Sequence, residues 1–291
     1  MNIDGTGIGG DNPCYIVAEI GINHNGNIET AKKLIEVAKA AGADAVKFQK
    51  RSVEIVYTPE ELARPRESPF GTTNGDLKKG LEFGHEDYRE IDRYCEQKGI
   101  TWFASPWDVE SVKFLENFDV PAYKVASACL IDKALTEAIY ATKKPVIVST
   151  GMSTQRQIDE AVYAYAMQAN NKNDLALLCC TSTYPCELKE LRLNRLWSME
   201  VMYPQTPIGW SHHAVSPWPA LCAVAMGAQI VECHITLDRS SWGSDQAASL
   251  EPAAFKKLVT EVRSFEEARG DGYIGPIPSE MPVLEKLRRF K

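Results

Sequence analysis

The 291-residue chain has no excess of positive charge. Its 32 lysines and arginines stand against 39 aspartates and glutamates, for a net charge of −7. A general nucleic-acid surface needs clustered lysine and arginine against the phosphates, so that class of function is excluded. An anionic substrate held in a local basic pocket is not. The chain also lacks a long apolar run. Its longest uncharged stretch, 214–231, is interrupted by two prolines, a glycine and a glutamine. It reads as a buried helix with its flanking turn and not as a membrane span. No basic start followed by an apolar stretch marks a signal peptide. None of the eight cysteines forms a CxxC pair. They read as reduced thiols of a cytoplasmic protein, acting as small core hydrophobes. No Pro/Ser-rich linker or low-complexity tract divides the chain, which favours one continuous domain.

What remains is ordinary globular composition, 44% hydrophobic and 24% charged. Short β-branched runs alternate with longer amphipathic stretches. Strands are predicted at 14–20, 43–49, 100–106, 122–127, 145–150, 175–181, 207–213 and 230–236. Helices are predicted at 28–41, 85–98, 109–117, 133–142, 155–168, 188–202, 218–226 and 253–268. Gly42, Gly99 and Gly227 each follow a helix, where a left-handed cap is wanted. Eight β-then-α units predict a single α/β domain, a (β/α)8 TIM barrel over residues 14–268. An N-terminal extension, 1–13, precedes it. A tail, 269–291, follows with a basic end of Lys286, Arg288, Arg289 and Lys291. The long segment 50–83 after the second strand reads as a functional lid.

Side chains alternate across a strand with period two. If Val46 and Phe48 face the helices, Lys47 and Gln49 face inward. The same logic turns Glu19, Ser105, Lys124, Ser149, Ser211, His213, Glu232 and His234 inward, and His212 outward. A barrel interior is normally filled by branched apolar residues, and catalytic groups gather at the C-terminal ends of the strands. Two inward lysines near several hydroxyls, Ser127 among them, suit a phosphate and a carboxylate. Either lysine alone would equally suit a pair with Glu19 or Glu232. His213 and His234 end adjacent strands and suit a divalent ion with open positions; satisfied structural histidines are an equal reading. His24, in the first βα loop, either contacts substrate or shapes the turn. Asp245, in the last, either shapes a turn or binds sugar hydroxyls or a metal-bound water.

Several segments then stand together in order. They are Ala18-Glu19-Ile20-Gly21-Ile22-Asn23-His24-Asn25-Gly26, Gly42-Ala43-Asp44-Ala45-Val46-Lys47-Phe48-Gln49, and Tyr123-Lys124 followed by Ser127. Next come Ser149-Thr150-Gly151-Met152, Cys180-Thr181-Ser182-Thr183-Tyr184-Pro185, Gly209-Trp210-Ser211-His212-His213 and Glu232-Cys233-His234. The pattern resembles the sialic acid synthase family, also called the N-acetylneuraminate synthase or NeuB family. The resemblance implies a TIM barrel that condenses phosphoenolpyruvate with a sugar aldehyde to a 2-keto-3-deoxy sugar acid and phosphate. It implies His213 and His234 as ligands of a divalent metal, typically Mn²⁺, with Mg²⁺ or Co²⁺ as alternatives. Lys47, Ser105, Lys124, Ser127, Ser149, Ser182 and Ser211 would cradle phosphoenolpyruvate. Glu19, Gln49, Tyr184 and Asp245 would stand near the aldehyde and the reacting carbons, and Asn74 would be a sugar-binding group on the long loop.

The chain departs from that pattern twice. Ser182 stands where the family's Cys-Thr-Asn-x-Tyr-Pro motif carries Asn. Typical bacterial members also continue into a small antifreeze-like domain whose Arg recognises the N-acetyl group in the partner subunit's site. The 291 residues lack that domain, so N-acetylmannosamine specificity does not carry over; Arg64, Arg66 or the basic tail are the substitutes at hand. A homo-oligomer is left open. Three other readings stand beside this one. They are a 3-deoxy-octulosonate 8-phosphate synthase-type condensation with a phosphorylated sugar, a metal-dependent aldolase or lyase using pyruvate, and a non-enzymatic carbohydrate-binding barrel.

Overall fold

Eight short parallel strands close on themselves in a computed structural model that describes residues 1–169, 171 and 173–290. Lys291, the last of the basic tail residues, lies outside these. The strands are β1 (Tyr15–Gly21), β2 (Ala45–Lys50), β3 (Thr101–Pro106) and β4 (Tyr123–Val125), then β5 (Val146–Ser149), β6 (Leu175–Cys180), β7 (Ile208–His212) and β8 (Ile230–His234). Each pairs in parallel with the next, and β8 closes on β1 through Glu232↔Val17 and His234↔Glu19. The helices between them are α1 (Ile28–Ala41), α2 (His85–Lys98), α3 (Val109–Glu116) and α4 (Lys133–Ala141), then α5 (Gln155–Gln168), α6 (Arg195–Met202), α7 (Trp218–Ala225) and α8 (Pro252–Ala268). The expected (β/α)8 TIM barrel is the observed fold.

Local chemistry sets the helix ends. Asn27 accepts the Thr30 N–H at the start of α1, and Gly42 ends it in the left-handed region at φ 91°. The predicted helix 188–202 is in fact two, Leu188–Leu191 and α6, because Arg192 takes a left-handed φ of 53°. The break changes the helical phase, so that both Leu191 and Leu196 are buried. Arg195 then reaches back to the Cys180 carbonyl at the end of β6.

A hairpin, Asn2–Ile3 with Thr6–Gly7, lies against the N-terminal ends of the strands. It buries Ile3 and Ile8, and Thr101 at the start of β3 donates to Asp4 at 2.8 Å. A recess of about 440 Å³ at that end is lined, among the described residues, by one carboxylate, Glu200, and by Met1. At the other end of the chain, residues 269–290 are exposed except for half-buried Leu284.

The segment 50–83 is an ordered excursion. It carries helices Val53–Val56, Pro59–Ala63 and Asn74–Leu81 and a hairpin, Pro65–Ser68 with Gly71–Thr73. It docks on the first βα loop so closely that a Cβ on Gly26 would sit 2.1 Å from the Gly80 carbonyl oxygen. Gly26 also has φ of 66°. Gly26→Ala is therefore expected to undock the excursion while the barrel stays folded. Amide exchange should rise selectively across residues 53–81; unchanged protection there would contradict this docking.

Candidate active site

The inward faces of the strands meet in a cavity of about 260 Å³ at their C-terminal ends. Glu19, Lys47, Gln49, Ser105, Lys124, Ser127, Ser149, Ser182, Tyr184, Ser211, His213, Glu232 and His234 all line it. Period-two alternation turns the strand members inward, since their neighbours Val46, Phe48, Val125, Trp210 and Cys233 are buried on the outer face, while Ser127, Ser182, Tyr184 and His213 come from the segments just past the strand ends. His212 faces outward as expected, with Nε2 on the Ser216 carbonyl at 2.8 Å.

Both lysines meet carboxylates. Lys47 Nζ stands 2.9 Å from Glu19 Oε2 and 3.5 Å from Glu232 Oε2, and donates to Ser105 Oγ at 3.0 Å. Lys124 Nζ donates to Ser149 Oγ at 2.6 Å and the Val125 carbonyl at 3.1 Å, with Glu232 Oε1 at 3.8 Å. Ser211 Oγ adds a bond to Glu232 Oε1 at 3.1 Å. The network is not self-satisfied. His234 Nδ1 is buried without a hydrogen-bond partner, and Glu19 Oε2 and Glu232 Oε2 meet only the Lys47 ammonium. Such groups are costly unless something else completes them.

The two carboxylates are driven apart. Burial lifts Glu19 to about 7, against the pull of Lys47. Burial acts on Glu232 in the same sense, but Lys124 and Lys47 overcome it and hold the group down at about 2. Burial lowers Lys124. It also opposes Lys47, yet Glu19 and Glu232 keep that ammonium raised.

The imidazoles of His213 and His234 converge with ring centres 5.4 Å apart. His213 Nδ1 lies 2.9 Å from the Thr181 carbonyl. A carbonyl only accepts, so Nδ1 carries a proton and Nε2 is the nitrogen that could coordinate. Burial lowers His234 to about 4, leaving it neutral. Asp245 Oδ2 stands 3.9 Å from its Nδ1, outside the residues that line the cavity. Tyr184 covers His213 at 4.1 Å between ring centres. Among the described residues no group of three or more His, Cys, Asp or Glu side chains could hold an ion.

Glycine 151 shapes the hydroxyl end. Its N–H donates to Ser127 Oγ at 3.1 Å, and a Cβ there would stand 2.4 Å from Ser182 Oγ and 2.8 Å from Ser127 Oγ. Gly151→Ala is expected to drive both hydroxyls out of the cradle. KM for the anionic substrate should rise while thermal stability changes little; an unchanged KM would remove Ser127 and Ser182 from substrate binding.

Two residues considered from the sequence lie away from the cavity lining. Asn74 is not brought to the cavity; its Nδ2 donates to the Glu61 carbonyl at 3.2 Å and its Oδ1 meets Arg66 at 3.5 Å, both within the excursion. His24 shapes the turn. It stacks on Phe83 at 3.9 Å, its Nδ1 accepts the Gly26 N–H, and burial lowers it to about 3. Residues not singled out from the sequence also line the cavity: Trp107, Ala126, Ala128, Met152 and Cys180. Cys180 Sγ lies 3.7 Å from His213 Nδ1. Burial alone would raise this thiol, but His213 draws it down to about 7. Its place at the C-terminal end of β6, two residues before Ser182, was the available signal.

A closed parallel barrel whose C-terminal mouth gathers lysines, carboxylates and histidines from its strands has the layout of a (β/α)8 barrel enzyme with a charged active-site mouth. A profile of the NeuB family matches residues 34–273. The chain is 38% identical over 285 residues to the N-acetylneuraminate-9-phosphate synthase of Homo sapiens, covering 97% of this chain and 79% of that protein. It is 33% identical over 281 residues to the N,N'-diacetyllegionaminic acid synthase of Legionella pneumophila, covering 95% and 79%. A crystal structure of the N-acetylneuraminic acid synthetase from Leptospira borgpetersenii, in complex with citrate, has a TM-score of 0.86 at 32% identity, over 100% of this chain and 98% of that one. The chain belongs to the NeuB family.

Proposed function

We propose that this NeuB-family enzyme condenses phosphoenolpyruvate with a sugar aldehyde, giving a 2-keto-3-deoxy sugar acid and inorganic phosphate. The observation that carries the reading is the pair of buried lysines, Lys47 and Lys124, on one cavity wall with Ser105, Ser149 and Ser211. Two ammoniums and a row of hydroxyls match a small molecule with a phosphate and a carboxylate. A pyruvate aldolase would have one anion to hold and no need of both.

In the proposed reaction, C3 of phosphoenolpyruvate attacks the aldehyde carbon and water adds at C2. The tetrahedral centre collapses with cleavage of the C2–O bond, and phosphate leaves. Lys47 and Lys124 hold the phosphate and carboxylate through both steps, so the reacting carbons stay in line. Glu19, lifted to about 7 by burial, is suited to exchange a proton with the water at neutral pH. Tyr184 and Gln49 would border the aldehyde end.

His213 and His234 would hold a divalent metal, Mn²⁺ by preference. The two converging imidazoles fit such an ion, with His213 Nδ1 already engaged by the Thr181 carbonyl and its Nε2 left to coordinate. When bound, it would supply Lewis-acid polarisation of the aldehyde carbonyl. Asp245 would orient His234. Among the described residues the cavity lining carries no cation beyond the two lysines, which supports an unphosphorylated acylamino aldose over a phosphorylated one.

The test is phosphate release from phosphoenolpyruvate across free and phosphorylated aldoses, with and without chelator. Release with a free acylamino aldose, abolished by chelator and restored by Mn²⁺, is expected. No release above background with any aldose overturns the function. A higher kcat/KM for the phosphorylated sugar overturns the substrate choice alone.

A further inference from the structure

A run of hydrogen bonds that the proposed chemistry does not use ties the acid end of the cavity to the excursion. Glu82, just past the excursion's last helix, accepts from the Arg51 backbone N–H at 3.1 Å and from Arg51 Nη1 at 3.2 Å. Arg51 Nη2 donates to Gln49 Oε1. Gln49 Nε2 in turn donates to Glu19 Oε1 at 2.7 Å. Arg51 is only 9% exposed, and its guanidinium lies 4.3 Å from the ring of Trp107, which lines the cavity.

Chemistry fixes the direction of this run. A guanidinium carries donors and no acceptor, so Gln49 must turn its carbonyl oxygen toward Arg51. Its NH₂ group then necessarily faces Glu19. The two ends of a primary amide are nearly alike in shape, so packing alone does not choose between them. Without Arg51 the amide can turn over and set its carbonyl oxygen against the Glu19 carboxylate. Glu19 has little room to adjust. A Cβ on Gly21 would lie 2.9 Å from Glu19 Oε1 and 3.1 Å from Gln49 Nε2, so the pair already rests on the backbone at the end of β1.

We propose that Arg51 is a positioning residue. It sets the Gln49 amide so that Glu19 is held by a donor, and Glu82 makes that setting depend on the docked excursion. The inference rests on the reading of Glu19 and Gln49 as groups at the aldehyde end of the site.

The experiment compares steady-state phosphate release by Arg51→Met, Arg51→Lys, Gln49→Leu and the double variant Arg51→Met/Gln49→Leu, each checked by thermal melting. Arg51→Met is expected to lower kcat on the order of 10²-fold, the cost of a misplaced reacting group, with KM for phosphoenolpyruvate unchanged. Arg51→Lys keeps a donor toward Gln49 Oε1 and should recover part of that loss. Because Arg51 acts through Gln49, adding Arg51→Met to Gln49→Leu should cost nothing further. Fully additive losses overturn the inference and leave the reading of the site standing. A Gln49→Leu variant with undiminished kcat overturns the reading of the acid end and the inference with it. If the methionine variants do not fold, Arg51→Lys is combined with Gln49→Leu and judged by the same additivity.

Discussion

Lys47→Met is expected to cut phosphate release severely and to weaken the fold in one stroke. The ammonium stands between Glu19 and Glu232, at 2.9 and 3.5 Å. Methionine fills the space but leaves two buried carboxylates without their shared counterion. Removing one partner of a buried ion pair costs about 3–5 kcal/mol, because the remaining charge stays uncompensated. Activity should fall by on the order of 10²–10³-fold, the loss seen when a preorganised donor to developing charge is deleted. Lys124→Met gives the contrast. Its nearest carboxylate oxygen is 3.8 Å away, and its bonds go to Ser149 and a backbone carbonyl. Comparable loss of activity with a clearly smaller loss of stability is expected there. Chemical denaturation beside the phosphate assay checks both. A fully active Lys47→Met protein would remove this lysine from the reaction.

Removal of the imidazoles is expected to have the second large effect. In His213→Ala/His234→Ala, Mn²⁺ binding, read from the spectrum of the free ion, should vanish, and phosphate release should fall to background. Neither ring carries the barrel, whose strands are paired by backbone bonds around them, so the melting temperature without metal should change little. Asp245→Asn should weaken Mn²⁺ binding by about 10–100-fold, the usual cost of losing the carboxylate that orients a ligating histidine. Undiminished Mn²⁺ binding by the double variant would place the ion elsewhere.

The inward set was legible in the sequence because strand alternation is strict. Once Val46 and Phe48 are assigned to the helix layer, Lys47 and Gln49 have one direction left. The same holds for Glu232 and His234 about Cys233. Glycines after helices marked where α1 and α2 stop. The break at Arg192 was less visible, since arginine carries no turn preference. Its trace is the spacing of Leu191 and Leu196, five apart where one continuous helix face wants three or four.

What alternation does not reach is contact between distant segments. Arg51 lies just past the end of β2, where the period no longer says which way a side chain points. Its partners, Glu82 and Trp107, come from the excursion and from the residue after β3. Asn74 failed for the same reason in reverse. Its place in the sequence put it on the long loop, but the excursion folds on itself and satisfies that amide locally. His24 was equally balanced between substrate and turn until Phe83, some sixty residues away, was seen to cover its ring.

The account's central claim is a condensation that breaks the C–O bond of phosphoenolpyruvate in this cavity. It is tested most directly with phosphoenolpyruvate carrying ¹⁸O in the bridging position, incubated with Mn²⁺ and a free acylamino aldose. Mass spectra of the products are then recorded. The expected result is a new sugar acid equal in mass to aldose plus pyruvate, with the label in the released phosphate. Pyruvate without a new sugar acid, or a sugar acid formed with unlabelled phosphate, would contradict it.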